Sequence, residues 1–169
     1  PQLDSEILLS SLIKRDKKHI ILNPKEFLNI EESKKFNNLI ERRKNGEPIA
    51  YLINKKEFWK YEFFVNKNVL IPRPDTEIII EQVLKIYRKE SSLQVLDIGT
   101  GSGCILLSII KERQNFNGTG IDISKKSINV SKINAKQLNL TNRVKFIHSS
   151  VDNFNIGKYD LIVSNPPYI

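Results

Sequence analysis

Asn165-Pro166-Pro167-Tyr168 follows the apolar run from Tyr159 to Ser164. The side-chain oxygen of Asn165 and the backbone carbonyl of Pro166 can point into one small cleft. There they accept both hydrogens of a planar amide or aromatic amine. The two prolines have fixed φ and no N–H, so they hold the turn rigid without adding a competing donor. Tyr168 offers a flat face to pack on the planar group. The same tetrapeptide also reads as an ordinary Asn-Pro turn after a strand, and by itself it does not separate the two readings.

A second motif stands upstream. Asp97-Ile98-Gly99-Thr100-Gly101-Ser102-Gly103 follows the strand-like Gln94-Val95-Leu96 and precedes a helix-like stretch with Ile105, Leu106, Leu107, Ile109 and Ile110. Strand, glycine turn and helix are the context a nucleotide-type fingerprint requires. The glycines let backbone approach a ligand, and the helix start favours an anionic group. A dinucleotide fingerprint would need glycine at 104, where Cys104 stands. Asp122 closes the next strand-like run, about 20 residues beyond the turn, where an acid binds ribose hydroxyls. An adenosyl ligand is therefore expected. Gly-x-Gly-x-Gly suggests S-adenosylmethionine, with its carboxylate in place of a pyrophosphate. Gly99, Thr100, Gly101, Ser102, Gly103 and Asp122 form the candidate cofactor set, with Asn165 at its substrate side. The competing reading is a structural βα turn that binds nothing.

The chain of 169 residues is 40% hydrophobic, enough for a packed core, and suits one domain or a small plus a medium one. No apolar run approaches 18 residues, so no membrane span is expected. Asp4 and Glu6 near the start argue against a signal peptide. The single cysteine excludes a disulfide framework and fits a reducing compartment, so a cytoplasmic monomer is expected. No Cys/His cluster suggests a metal site. His19 and His148 stand isolated, with surface or packing roles expected. The net charge of +8 invites a nucleic-acid partner. The richness in Lys, Ile and Asn offers compositional bias instead, and a partner bound to RNA is compatible with both. The chain starts at Pro1, contains no methionine and stops at the Asn-Pro-Pro-Tyr motif. A sheet ending there would leave its fourth strand as an exposed apolar edge, so a fragment of something longer is expected.

Residues 1–46 read as a small helical domain. Leu3, Ile7, Leu8, Ser11 and Leu12 recur at helical spacing, and Pro24 is expected to open a short second segment with Phe27 and Leu28. A third helix runs from about Ile30 to Asn45, with Gly46 as its stop. Residues 47–73 read as a β-hairpin linker: an aromatic stretch from Phe58 to Val65, a turn at Asn66-Lys67-Asn68, then Val69-Leu70-Ile71. Residues 74–169 begin with a helix from Glu77 to about Lys89. They continue as strand 94–98, helix 102–113, strand 118–123, helix 124–138, strand 143–149 and strand 159–164. This alternation predicts an α/β fold with a parallel, Rossmann-like sheet, incomplete at its C-terminal side.

Four segments resemble the HemK/PrmC family of protein-glutamine methyltransferases. They are Glu47 to Leu52 with Glu57-Phe58-Trp59, Ile71-Pro72-Arg73-Pro74-Asp75-Thr76-Glu77, Asp97 to Gly103, and Ser164 to Ile169. The last two occur in many amino-methyltransferases, whereas the Pro-Arg-Pro-Asp-Thr-Glu segment is far more specific. The resemblance implies S-adenosylmethionine-dependent methylation of the glutamine side-chain nitrogen in the Gly-Gly-Gln loop of peptide chain release factors. It assigns catalysis to Asn165, Pro166 and Tyr168, and substrate binding to Asn165, Pro166, Pro167 and Tyr168. The family often places an acid near the adenine after the third strand. Here Ser150 or Val151 takes that place, and Val151 joins the candidate cofactor set. Two alternatives stay open: an adenine amino-methyltransferase acting on nucleic acid, and one half of a bifunctional protein with a tRNA guanine methyltransferase domain. A non-catalytic docking module is a third.

Overall fold

The structure, a computed structural model, describes residues 2–166. It divides into two compact units, residues 1–54 and 55–169.

The first unit holds α1 (Gln2–Ile13), α2 (Lys17–Leu22), α3 (Ile30–Lys44) and the short α4 (Ile49–Leu52). α1 packs on α3 with Leu8 fully buried, and Arg43 Nε donates to Asp4 Oδ2 at 2.7 Å. α3 starts at a capping box. Asn29 Oδ1 accepts from the Glu32 N–H at 2.9 Å, and Glu32 Oε2 accepts from the Asn29 N–H at 3.0 Å. It stops at Gly46, where φ is +87°. The second helix differs from expectation. It lies at 17–22, capped by Asp16, whose Oδ1 accepts from the His19 N–H at 2.8 Å. Pro24 ends a helix here rather than opening one, because it bars Asn23 from helical geometry (φ −122°, ψ 56°). Phe27 and Leu28 lie in the connection to α3.

The second unit opens with an antiparallel hairpin of β1 (Lys55–Phe58) and β2 (Tyr61–Phe64), with Phe58 opposite Tyr61. The chain therefore reverses at Trp59-Lys60, not at Asn66–Asn68. Trp59 has φ +57°, a strained state for a bulky residue. Tertiary bonds hold it: its N–H donates to Glu77 Oε1 at 2.7 Å and its indole Nε1 to Glu112 Oε1 at 2.9 Å. Glu112 also accepts from the Tyr61 hydroxyl at 3.0 Å and from Lys60 Nζ at 3.1 Å. Asn66–Asn68 forms an Asx turn instead, the Asn68 N–H donating to Asn66 Oδ1 at 3.0 Å. Val69-Leu70-Ile71 is irregular chain rather than a strand.

A 3-10 turn (Pro74–Thr76) leads into α5 (Glu77–Ile86). Then β3 (Gln94–Ile98), α6 (Cys104–Glu112), β4 (Asn117–Asp122), α7 (Lys125–Gln137), β5 (Val144–His148) and β6 (Leu161–Ser164) follow. The four strands pair in parallel in the order β5-β4-β3-β6. This is the half-sheet of a doubly wound fold, and its order reverses between β3 and β6. α6 is buried at every position from Cys104 to Ile110, which explains its apolar residues on all sides. The last strand starts at Leu161 rather than 159 because Asp160 serves the neighbouring strand: its Oδ2 accepts from the Gln94 N–H at 2.8 Å. Among the described residues no helix is long and apolar enough to cross a membrane. None of their His, Cys, Asp or Glu residues group in threes or more to hold a metal ion.

Candidate active site

A cavity of about 570 Å³ opens at the C-terminal ends of the strands. Its size is in the range of small-molecule sites, roughly 300–1,000 Å³. It straddles the point where the strand order reverses, the place where open α/β sheets bind ligands. The end of each strand contributes: Ile98, Gly99 and Gly101 after β3, Ile121 to Ile123 at β4, Ser149 and Val151 after β5, and Ser164 to Pro166 at β6. Asn68, Val69, Leu70 and Arg73 close one side.

The three glycines of the turn do different work. All have positive φ: +72° at Gly99, +54° at Gly101 and +79° at Gly103. A Cβ on Gly99 would meet nothing within 4 Å, and one on Gly101 only the Gly99 oxygen at 3.9 Å. These two present bare backbone to open space that a side chain would otherwise occupy. A Cβ on Gly103 would meet Leu107 at 3.1 Å and both Phe146 and Ser131 at 3.2 Å. Gly103 thus permits the helix to pack closely and does not line the cavity. Thr100 and Ser102 are also turned inward, each nearly buried. Thr100 Oγ1 donates to Asp97 Oδ2 at 2.6 Å. Asp97 Oδ1 is buried without a partner among the described residues. Burial raises the Asp97 carboxyl to about 6, against the opposing pull of the Thr100 hydroxyl, and the nearby Asp122 charge adds to the rise.

Asp122 is tied on both oxygens. Oδ2 accepts from the Gly101 N–H at 2.9 Å and Oδ1 from the Ser124 N–H at 2.8 Å. Each carboxylate oxygen retains a lone pair for a hydroxyl donor. The acid therefore both fixes the glycine turn and faces the cavity. Next to it, Ile123 is 76% exposed and Val151 54% exposed. Two apolar side chains flanking a cavity suit a flat heterocycle. His148 supports this edge, its Nε2 lying 2.9 Å from the Ile123 oxygen, while His19 Nε2 pairs with Glu26 at 2.6 Å. Both histidines have partners, and neither lines the cavity.

On the opposite side, Ser164 Oγ donates to the Ile98 carbonyl at 2.9 Å, joining the ends of β6 and β3. Asn165 Nδ2 donates to Thr76 Oγ1 at 3.2 Å. Asn165 and Pro166 line the cavity together with Gly99, Gly101, Asp122 and Val151. The expectations for Pro167 and Tyr168 lie outside the described residues.

Sequence reasoning missed Thr76, Ile123, Asn68 to Leu70, and Asn134. The last is a fully buried polar residue of α7. Its Oδ1 accepts from the Phe64 N–H at 2.7 Å, and its Nδ2 donates to the Phe64 oxygen at 3.0 Å and the Ser102 oxygen at 2.8 Å. It joins the hairpin edge to the glycine turn. No local pattern signals that role, although an Asn among the apolar positions of a helix is a hint. Cys104 is buried, and desolvation pushes its thiol up to about 12, so it offers no nucleophile.

Residues 1–53 match the PrmC N-terminal domain, and residues 89–167 match a methyltransferase domain. A release factor glutamine methyltransferase of Buchnera aphidicola subsp. Baizongia pistaciae is 46% identical over all of this chain and 61% of its own length. One from Caulobacter vibrioides is 38% identical over all of this chain and 59% of its own length. A bifunctional methyltransferase of Rickettsia conorii is 38% identical, with 37% of its length matched. The chain thus spans about three fifths of the first two relatives. The crystal structure of M. jannaschii tRNA m1G37 methyltransferase shares the fold, with a TM-score of 0.57 and 21% identity over 68% of this chain and 35% of that one. The chain is thus similar to a PrmC N-terminal domain followed by a methyltransferase domain, and along its whole length to about three fifths of release factor glutamine methyltransferases.

Proposed function

We propose that the protein transfers a methyl group from S-adenosylmethionine to the side-chain amide nitrogen of the glutamine in the Gly-Gly-Gln motif of peptide chain release factors. One observation carries this reading: the glycine turn after β3 and Asn165 after β6 open onto the same cavity. The donor set suits the cofactor. Gly99 and Gly101 offer bare backbone to the methionine part, Asp122 offers free lone pairs to ribose hydroxyls, and Ile123 with Val151 offers apolar faces to the adenine. Thr100, Ser102 and Gly103 shape that turn from behind. Relatives 38–46% identical bear the name release factor glutamine methyltransferase, which supports the substrate.

Bound there, S-adenosylmethionine would supply an electrophilic methyl group on a positively charged sulfur, with neutral adenosylhomocysteine as the leaving group. The residues of the chain have to overcome the weak nucleophilicity of an amide, whose nitrogen lone pair is delocalised. Asn165 Oδ1 and the Pro166 carbonyl accept the two N–H groups and aim the nitrogen. Their dipoles also stabilise the positive charge that develops on it. The nitrogen then loses one proton to solvent, so no dedicated base is needed. The family resemblance assigns Tyr168, with Pro167 before it, to the binding of the amide plane.

Residues 1–46 dock the protein substrate, 47–73 link them to the catalytic residues 74–169, and the enzyme works as a cytoplasmic monomer, with RNA met only through its partner. The bifunctional naming of the Rickettsia relatives favours a second arrangement, with this activity beside another methyltransferase activity in one protein. The test is a full-length assay with labelled S-adenosylmethionine, release factors and RNA. Label on the Gly-Gly-Gln glutamine is expected; label on RNA alone would overturn the reading.

A further inference from the structure

We infer that Thr76 is a positioning residue that sets which end of the Asn165 amide faces the cavity, and so selects a reacting group that carries N–H donors. The inference rests on the methyl-transfer reading above and deepens it. An Asn side chain has a donor end and an acceptor end, and a site built from it can recognise opposite chemistries according to which end is turned out. Here Asn165 Nδ2 donates to Thr76 Oγ1 at 3.2 Å. One of the two N–H groups of the donor end is thereby committed inside the protein, which turns the acceptor end toward a ligand. Thr76 itself does not line the cavity, so it acts through Asn165.

A second feature leaves the same end free. The usual local use of an Asn oxygen is an Asx turn, in which it accepts the backbone N–H two residues on. Two residues after Asn165 stands Pro167, and one residue after it Pro166, neither of which has an N–H. The double proline thus denies Oδ1 its local donors while Thr76 occupies Nδ2. The hydroxyl is held in place by its own segment. Pro72 and Pro74 restrict the chain on either side of Arg73, the Thr76 N–H donates to the Arg73 oxygen at 3.0 Å, and the neighbouring Glu77 is bonded to the Trp59 N–H at 2.7 Å. The Pro-Arg-Pro-Asp-Thr-Glu segment thereby acquires a physical role, in which Glu77 fastens the hairpin turn and Thr76 orients the acceptor.

Thr76→Val keeps the shape and removes the hydroxyl; Thr76→Ser keeps the hydroxyl. In the full-length enzyme, Thr76→Val should lower kcat toward release factor about tenfold or more, with adenosylhomocysteine affinity within twofold of wild type, and Thr76→Ser should retain most of the activity. A readout independent of turnover is the side-chain NH2 resonance pair of Asn165 in the ligand-free protein, assigned by its loss in Asn165→Asp. The pair should shift in Thr76→Val and stay near its wild-type position in Thr76→Ser. If Thr76→Val fails to fold, the Ser variant and the amide resonances of the wild type, which should show slowed hydrogen exchange at Nδ2, still decide. An unshifted pair in Thr76→Val, a Ser variant as impaired as a folded Val variant, or a loss confined to cofactor affinity would overturn the inference. Failure of the wild-type enzyme to label release factor would overturn the methyl-transfer reading and leave the resonance result standing by itself.

Discussion

Replacing Asn134 by alanine should be among the costliest single changes in the second unit. The side chain is fully buried and makes three hydrogen bonds, to the N–H and oxygen of Phe64 and to the oxygen of Ser102. In effect its amide adds one more peptide group to the edge of β2. Neutral hydrogen bonds contribute about 1 kcal/mol each, and a buried carbonyl left unpaired costs about 1–3 kcal/mol more. Ser102 is nearly buried, so its oxygen has little access to water. The expected loss is about 4 kcal/mol. Urea unfolding followed by the fluorescence of Trp59, the chain's one tryptophan and part of the hairpin turn, reads this directly. The midpoint should fall with the slope unchanged. Gln137→Ala is the control. Its Nε2 bond to the Glu62 oxygen is exposed and long, 3.3 Å, and its removal should cost well under about 1 kcal/mol. Asn134→Asp sharpens the test. It keeps the acceptor for Phe64 but turns a buried carboxylate toward two carbonyl oxygens, so it should be worse than alanine at neutral pH and recover as the carboxyl protonates in acid. An alanine variant within about 1 kcal/mol of wild type, or no worse than the Gln137 control, would refute the reasoning.

Two glycines of one turn should fail in different ways: Gly101→Ala should spare folding to within about 1–2 kcal/mol and weaken adenosylhomocysteine in calorimetry. Gly103→Ala, with Leu107, Phe146 and Ser131 already at 3.1–3.2 Å, should chiefly lower the unfolding midpoint. The reverse pattern would mean that the cavity is not where the cofactor sits. Asn165→Ala should leave cofactor affinity nearly unchanged and cut kcat/KM by about 10²; near-normal methylation of release factor would reduce the motif to a turn. Asp97, held near 6 when folded against an ordinary value of 3.8, keeps a proton that the unfolded chain has already released. Its contribution to ligand-free stability is therefore present below about pH 4 and lost as pH rises through about 6, a change of about 3 kcal/mol. The difference in stability between wild type and Asp97→Asn should follow that window, and a flat difference would contradict the burial of this carboxyl.

The convergence of the candidate site residues was legible where residue type and spacing carry it. Gly99 and Gly101 are needed for positive φ and an open backbone, Asp122 for its place one strand later, and Asn165 for the prolines beside it. All of them meet at one cavity. What holds them was not legible. Asn165 and Thr76 are 89 positions apart, and Asn134 and Phe64 are 70 apart, so neither bond leaves a local period or composition to read. The hairpin turn was misplaced for a related reason. Asn66-Lys67-Asn68 has the composition of a turn, whereas Trp59 takes positive φ against its own preference because Glu77 and Glu112 bind its two N–H groups. Pro24 misled in the first unit, since a proline that can open a helix also closes the one before it.

β3 and β6 act as a ruler. Ile98 is paired with Ser164, so Gly99 and Asn165 leave the sheet at the same level on neighbouring strands. Adjacent strands lie roughly 4.8 Å apart, and a slip of one residue would shift one against the other by about 3.3 Å and turn alternate side chains to the opposite face. The interval between the glycine turn and Asn165 is thus graduated by the hydrogen bonds of the ladder, with the Ser164 bond to Ile98 as its end stop. Loops can then diverge at 68–70 and 149–151, changing what is admitted, while the working distance stays calibrated.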